Sequence, residues 1–196
     1  MSSNQSREVT SPGRARIALS GSAGVGKSTL AARLARTLDL PLIGEGMREY
    51  LERTGADLHA LGPAGVRALV LDLWAERQEA EARALREAGG FVADRSSYDF
   101  GAFWLYYRFA GEDAETERLL ADALAPDRYD VVYLLPWGAI PLVADGVRSS
   151  DRFVQLHSQL LIEGCVRRYA PRVVDLAPVD LDARVAAVLA DLSARR

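Results

Sequence analysis

The stretch Gly21-Ser22-Ala23-Gly24-Val25-Gly26-Lys27-Ser28 decides the fold of this chain. It matches the pattern G-x-x-x-x-G-K-[ST], in which glycines let backbone N–H groups approach a phosphate and the next helix presents its positive N-terminus. Of the 24 basic residues, Lys27 is the one lysine. Its compact ammonium reaches between phosphates, whereas a guanidinium is a wide planar fork. The stretch, with Thr29 after it, therefore predicts a loop that binds a nucleoside triphosphate, with the Ser28 hydroxyl on Mg²⁺.

The segments around the loop have the pattern that the motif requires. Residues 16–20 are an apolar strand, and Leu30, Leu34 and Leu38 recur at helical spacing. Further strands are predicted at 40–44, 91–94, 130–135 and 172–176. Helices are predicted at 27–38, 65–88, 99–109, 112–124, 153–169 and 181–192, with a loop running into a helix over 45–54. This alternation predicts an α/β fold with five parallel strands, and ligands at their carboxyl ends.

Length and composition favour one domain. With 196 residues and 49% hydrophobic content, a single domain over residues 14–196 is expected after a polar, disordered tail over residues 1–13. The net charge of −3, without blocks of like charge, argues against a nucleic-acid partner. No apolar run reaches membrane-spanning length, so no membrane partner is expected. We expect a cytoplasmic protein, and its state as monomer or homodimer stays open.

The segment Asp94-Arg95-Ser96 directly follows the third predicted strand. An acid at this place can hold Mg²⁺ or take a proton from an acceptor hydroxyl, and an arginine can neutralise phosphoryl oxygens. We therefore predict Asp94 as a catalytic and metal-binding residue, and Arg95 as a catalytic and substrate-binding one. The alternative is an N-cap aspartate beside a surface arginine.

The segment Glu45-Gly46-Met47-Arg48-Glu49-Tyr50 follows the second strand. Glu45 could orient or deprotonate an acceptor hydroxyl, and we predict it as catalytic and substrate-binding. Arg48 is a predicted substrate-binding residue, although Arg48 and Glu49 could equally form a structural pair.

A glycine- and proline-containing stretch over 137–152 suits a lid that closes over the triphosphate. It contains Asp145-Gly146-Val147-Arg148, with Arg152 four residues further on. Both arginines are predicted to bind the nucleotide, and Arg148 to supply charge in the transition state. The alternative is an ordinary surface loop in which Ser150 or Asp151 caps the next helix.

The long predicted helix changes from apolar to polar along one stripe. Trp74 leads into Arg77, Gln78 and Glu81. This stripe could line an acceptor pocket, with Trp74 and Gln78 as substrate-binding residues. The simpler interpretation is that the helix emerges into solvent. The aromatic run after the third strand is mainly core, with Tyr98 as its candidate for stacking on a substrate ring.

These elements together resemble the small phosphate-loop kinases of nucleosides and nucleotides, over about residues 14–192. The resemblance rests on the loop, on Glu45-x-x-Arg48-Glu49-Tyr50, on Asp94-Arg95-Ser96 and on Asp145-Gly146-x-Arg148. It is closest to the ribosylnicotinamide kinase domain of bacterial NAD regulators and the related AAA-labelled small ATPases. Asp94-Arg95-Ser96 is also similar to deoxynucleoside and thymidylate kinases. The ribosylnicotinamide kinases have an aspartate–threonine–aspartate element there, from which this chain departs.

The resemblance implies a P-loop NTPase fold of three α/β/α layers, strand order 2-3-1-4-5, and transfer of the γ-phosphoryl group of Mg-ATP to a small-molecule acceptor. It assigns Lys27 and Ser28 to ATP and Mg²⁺, Asp94 to metal and acceptor, Arg95 to phosphate and Arg148 to the lid. Two alternatives stay open. One is a nucleotide-dependent regulatory ATPase acting on a protein partner, and the other is a polynucleotide end kinase with a basic groove. The sequence lacks an Asn-Lys-x-Asp motif, which argues against a regulatory GTPase.

Overall fold

The structure is a computed structural model, and it describes residues 15–44, 46–57, 60–109, 111, 113–141 and 151–194, without the side chain of Arg48. Its helices and strands follow one another as β1 (Arg16–Ser20), α1 (Lys27–Leu38), β2 (Leu42–Ile43), α2 (Met47–Thr54), α3 (Pro63–Ala88), β3 (Phe91–Asp94), α4 (Ser97–Tyr106), α5 (Ala114–Ala123), β4 (Val131–Leu134), α6 (Arg152–Tyr169), β5 (Val173–Asp175) and α7 (Leu181–Ser193). The predicted tail over 1–13, and residues 142–150 of the predicted lid, lie outside the described residues.

The strands of the described chain form one parallel sheet in the order β2-β3-β1-β4-β5. This confirms the predicted fold class and strand order. Strands β3 and β4 are buried along their whole length, which explains why they read as unbroken apolar runs rather than alternating ones. Because β1 lies between β3 and β4, the carboxyl ends of all three meet at the loop that follows β1.

Helices cover both faces of the sheet, and the side chains of β1 alternate between them. Ile17 and Leu19 pack against apolar residues of α1 and α7, whereas Ala18 packs on the other face with residues of α4 and α6. A third apolar cluster joins α3, α4 and α5. This arrangement confirms the three predicted layers. No helix in the described ranges combines the length and apolar character needed to cross a membrane.

The element boundaries differ from the sequence prediction mainly at α4. This helix begins at Ser97 rather than Asp99, because Ser96 and Asp99 form a capping box that satisfies the first backbone N–H groups. Strand β2 is only two residues long, which is shorter than the predicted 40–44. Helix α3 begins at Pro63. Proline is favourable at this position because the first N–H groups of a helix have no partner within the helix.

Candidate active site

The predicted phosphate loop connects β1 to α1 and has the backbone that glycine allows. Gly21 has φ 139° and Gly26 has φ 91°, values that L side chains rarely adopt. A Cβ on Gly21 would also lie 2.9 Å from the carbonyl oxygen of Leu135 at the end of β4. The loop therefore needs glycine at these two positions for its turn and for its close approach to the sheet.

Lys27 folds back over the loop that it belongs to. Its side chain is buried, and the ammonium Nζ donates to the carbonyl oxygen of Ser22 at 2.6 Å. Ser28 and Thr29, in the first turn of α1, are exposed. The Ser28 hydroxyl is thus accessible at a helix N-terminus, where anions bind, while the roles of Lys27 at phosphate and Ser28 at Mg²⁺ stay predictions.

Two side chains hold the first peptide of the loop from opposite sides. Arg95 Nη1 donates to the carbonyl oxygen of Gly21 at 3.2 Å, while Ser22 N donates to Gln159 Oε1 at 2.6 Å. Gln159 also donates to the Leu135 carbonyl at 3.1 Å. Gln155, one turn earlier in α6, accepts from Ala23 N at 3.2 Å. The position of the loop therefore depends on the turn after β3 and on α6.

The turn after β3 brings Asp94 and Arg95 to the root of the loop. Asp94 is in register with Leu19, two residues before the loop begins. The residue Arg95 has the left-handed value φ 78°, which is strained for a non-glycine residue, and its side chain is almost fully buried. Its guanidinium also contacts Asp99 Oδ1 at 3.2 Å. The predicted phosphate arginine therefore donates to the loop backbone in this structure.

Asp94 carries an unsatisfied oxygen. The side chain is 5% exposed, and among the described residues its Oδ1 has no hydrogen-bond partner. A buried acceptor without a donor is costly and calls for an explanation such as an ion, a water or a ligand. Carboxylate and hydroxyl oxygens are the ligands that Mg²⁺ prefers. Asp94 and Ser28 therefore fit a Mg²⁺ ion, and Asp94 also fits an acceptor hydroxyl that donates to it.

Asp99 joins the turn to β1 without taking part in the predicted site. Its Oδ2 accepts from Ser20 Oγ at 2.6 Å, and from both the backbone N and the hydroxyl of Ser96. The residue is fully buried. Ser96 and Asp99 thus fix the start of α4 against the strand that leads into the loop.

A buried charge network on α3 supports the same turn. Arg77 donates to the carbonyl oxygens of Asp94 and Arg95, and its Nε contacts Glu81 Oε1 at 3.0 Å. Glu81 also accepts from Arg128 and from Tyr129. Arg77 and Glu81 are 4% and 5% exposed, so the interpretation that this stripe emerges into solvent was wrong for both.

Tyr129 connects this network to α4. Burial raises the pKa of the Tyr129 phenol to about 12, so it stays protonated near neutral pH and donates to Glu81. The same oxygen accepts from Ser97 N at 2.7 Å. Side chains from α3, α4 and the segment before β4 therefore make hydrogen bonds to the backbone of each residue over 94–97.

The remaining predicted substrate residues with described side chains are Trp74, Tyr98 and Gln78. Trp74 is buried between the ring of Phe100 and the guanidinium of Arg128, and Tyr98 is fully buried with its hydroxyl 3.1 Å from the carbonyl oxygen of Ala125. Both thus belong to the core. Gln78 is half-buried on α3.

Glu45 and Arg148 lie outside the described residues, as does the side chain of Arg48. Their predicted roles therefore stay predictions.

A cavity of about 410 Å³ opens beside the loop. It is lined by Ala23, Gly24, Val25, Trp137, Gly138, Ile140, Pro141, Arg152 and Gln155. Its volume lies in the range typical of small-molecule sites. The guanidinium of Arg152 lies 5.9 Å from the centre of the Trp137 ring. The structure thus brings Arg152 next to the loop, and its predicted contact with the nucleotide stays a prediction.

Sequence reasoning missed several residues at this edge of the sheet. Gln155 and Gln159 are spaced by one helical turn on α6, and this polar pair was a usable signal. Trp137 comes soon after β4, where the rule for parallel sheets puts ligands. Arg184, on α7, donates to Val25 O at 2.7 Å and had no signal in the sequence.

The chain matches a known family and several solved structures. A family model described as an AAA domain matches residues 16–184. None of the curated proteins matches the chain. The NadR protein in complex with NAD and AMP-PNP has a TM-score of 0.66 and 19% identity, covering 92% of this chain and 49% of that chain. The chain therefore spans about half the length of NadR.

Two smaller kinases have the same fold over nearly their whole length. Deoxyadenosine kinase from M. mycoides with bound dATP has a TM-score of 0.62 and 16% identity, covering 91% of this chain and 99% of that chain. Thymidylate kinase from Ehrlichia chaffeensis has a TM-score of 0.63 and 16% identity, covering 92% of this chain and 100% of that chain. With the match over residues 16–184, the protein belongs to the AAA domain family and has a P-loop kinase-like fold.

Proposed function

We propose that the protein is an ATP-dependent phosphotransferase that moves the γ-phosphoryl group of Mg-ATP to a small-molecule acceptor, in the class of nucleosides, nucleotides and related metabolites. The observation that carries the proposal is the buried, unpartnered Oδ1 of Asp94 beside the phosphate loop. Phosphoryl transfer needs an acid near the metal and the attacking hydroxyl, and this oxygen is a buried acceptor at that place.

The chemistry depends mainly on position and charge. When bound, Mg-ATP supplies the phosphoryl group, and Mg²⁺ neutralises charge on its oxygens. Lys27 would leave Ser22 O and contact phosphate, while the loop N–H groups bind the remaining phosphate oxygens. Ser28 and Asp94 would hold the metal. Asp94 would also orient the acceptor hydroxyl or take its proton.

Arg95 and Arg152 have supporting roles beside the phosphate-binding loop. Arg95 holds the loop carbonyl of Gly21, so that it positions phosphate-binding groups and can shift to phosphate itself. Arg152, beside the cavity, is the proposed contact to the nucleotide from α6.

The acceptor class is supported by what similar structures contain. NadR binds NAD and AMP-PNP, and the M. mycoides enzyme is a deoxyadenosine kinase with dATP bound. A shikimate kinase in complex with shikimate is also similar, with a TM-score of 0.60 and 14% identity. These proteins share a fold but contain different bound molecules, so we propose the nucleoside and nucleotide class first and a small hydroxy acid as the next acceptor to test.

The experiment is an ADP-release assay with Mg-ATP against nucleosides, nucleoside monophosphates, nicotinamide riboside and shikimate. The Lys27→Ala variant is the control for contaminating kinases. Release stimulated by one acceptor, and lost in the variant, supports the proposal and names the substrate class. Slow release that no acceptor stimulates, but that a protein partner does, would instead favour a regulatory ATPase.

A further inference from the structure

Arg184 is a buried cation beneath the phosphate loop. It is the fourth residue of α7 and is 2% exposed. Its Nε donates to the carbonyl oxygen of Pro178 at 2.6 Å, and its Nη1 donates to that of Val25 at 2.7 Å. Its Nη2 is enclosed and has no hydrogen-bond partner in the described part of the chain. One side of this guanidinium is therefore satisfied by backbone and the other is not.

The protein groups around Arg184 form an electrostatically unfavourable site for a cation. No carboxylate among the described residues pairs with Arg184, whereas other buried arginines such as Arg77 and Arg95 each have one. Arg184 also lies in the first turn of α7, where the partial positive charge of the helix end opposes a cation. Burial lowers the pKa of its guanidinium. A residue that is unfavourable for stability in several ways is expected mainly at functional sites.

The contact with Val25 has a direct consequence for the loop. The carbonyl of Val25 and the N–H of Gly26 belong to one planar trans peptide, so they point in opposite directions. Because Arg184 holds the oxygen, the Gly26 N–H is directed away from α7. A Cβ on Gly26 would lie 2.8 Å from Arg184 Nη1, so this close approach needs glycine in addition to the φ of 91°.

We propose that Arg184 is a positioning residue for the phosphate loop, whose buried charge is compensated by the phosphates of a bound nucleoside triphosphate. It directs the Val25–Gly26 peptide for phosphate binding, and it places a positive charge next to the residue before Lys27. The buried charge would lower the stability of the protein without nucleotide and raise its affinity for the nucleotide. The inference deepens the proposed function and rests on it.

The test measures thermal stability without nucleotide and affinity for Mg-ATP by calorimetry, so that neither readout depends on turnover. Three proteins are compared with the wild type: Arg184→Met, which keeps volume but removes the charge, Arg184→Lys, which keeps the charge, and Arg33→Gln. Arg33 is a matched control because it is an exposed arginine on α1, paired with Asp182 near the start of α7.

We expect Arg184→Met to bind Mg-ATP about tenfold more weakly or worse, as expected for loss of a charged hydrogen bond. Without nucleotide it should lose less stability than the two lost backbone hydrogen bonds alone would cost, because a buried unpaired charge is removed with them. Arg184→Lys should keep more of the affinity than Arg184→Met. Arg33→Gln should bind Mg-ATP like the wild type. The inference is supported if Arg184→Met binds Mg-ATP most weakly, Arg184→Lys binds with intermediate affinity and Arg33→Gln binds like the wild type.

Several results would overturn the inference, and two concern the Arg184 variants in particular. One is an Arg184→Met protein that melts clearly below the wild type yet binds Mg-ATP equally well, which would make Arg184 a structural link only. The other is Arg184→Lys binding as weakly as Arg184→Met, which would exclude charge compensation. A wild-type protein that binds no Mg-ATP would overturn the proposed function and this inference together, whereas unchanged affinity in Arg184→Met would overturn this inference alone.

Discussion

The guanidinium of Arg95 donates to the carbonyl oxygen of Gly21 across 3.2 Å, and so joins the turn after β3 to the first residue of the phosphate loop. The same side chain contacts Asp99 and lies 4.9 Å from the centre of the Phe103 ring. Asp94 immediately precedes it. A change at either end of this contact therefore moves the predicted catalytic acid and the phosphate loop together.

Replacing Lys27 by alanine should remove turnover and leave the fold intact. Lys27 is the one lysine of the chain, and one of its contacts is the hydrogen bond that its ammonium donates to Ser22 O in the loop. Loss of a charged hydrogen bond to phosphate should weaken Mg-ATP binding by about 10- to 100-fold. Calorimetry measures the affinity and circular dichroism the fold. Lys27→Arg keeps the charge but not the compact shape, and should also be inactive; near-normal turnover in either variant argues against the assignment.

Replacing Asp94 by asparagine should lower kcat by roughly 10²- to 10⁴-fold, because the amide can neither take a proton nor hold Mg²⁺ as a carboxylate does. A higher Mg²⁺ requirement should accompany the loss. Steady-state kinetics over a range of Mg²⁺ concentrations measures both effects. Asp72→Asn is the control, since Asp72 is an exposed carboxylate on α3 that accepts from Tyr50. Equal kcat values for the two variants would remove Asp94 from the reaction.

Replacing Arg77 by methionine should lower the free energy of unfolding by about 3–5 kcal/mol, because it leaves Glu81 buried with one partner fewer. The carbonyls of Asp94 and Arg95 would also lose their donor. Urea unfolding measures the loss. Arg53→Met breaks an exposed ion pair with Glu76 between α2 and α3, and should cost about 1 kcal/mol or less. If Arg77→Met also cost only about 1 kcal/mol, the buried network would contribute little to the free energy of unfolding.

The ion pair between Arg16 and Asp130 predicts a pH-dependent part of the stability. Burial raises the pKa of the Asp130 carboxyl, but hydrogen bonds from the Arg16 side chain and backbone outweigh it and hold the pKa below its ordinary value of 3.8. Folding thus favours the ionised form, so its contribution is complete above pH 3.8 and is lost as the pH falls through the lower folded value.

The Asp130→Asn variant isolates this contribution. The pair is partly exposed, so the difference from the wild type should be about 1 kcal/mol or less at neutral pH. Thermal melts between pH 7 and pH 2 should show the two proteins converging at the acid end. A difference that grows as the pH falls would mean that folding does not lower the pKa of Asp130.

The architecture was predictable because its signals are local. The glycine loop, the apolar runs at β1, β3 and β4, and the spacing of Leu30, Leu34 and Leu38 each follow from backbone and hydrophobic periodicity. The start of α4 was missed by two residues, because Ser96 and Asp99 act as a capping box that no periodicity indicates.

The site was predictable only where its residues follow strands in the sequence. Asp94 is the last residue of β3, so the parallel-sheet rule indicated it, and Lys27 belongs to the loop motif after β1, which indicated it directly. Gln159 and Arg184 reach the loop from helices that are more than 130 residues away in the chain, and only the packing of α6 and α7 on the sheet brings them there. The burial of Arg77 was missed because several of the groups around it lie outside α3. Its guanidinium donates to the carbonyl oxygens of Asp94 and Arg95, and its partner Glu81 accepts from Arg128 and Tyr129.

The most direct test of the central claim follows the γ-phosphate itself. ATP labelled at that phosphate is incubated with the protein, Mg²⁺ and the acceptor that best stimulates ADP release, and the products are separated by chromatography. The account predicts label in the acceptor with the wild type, and none with Lys27→Ala. Label found only in inorganic phosphate, at the same rate with and without every acceptor, would contradict a phosphotransferase.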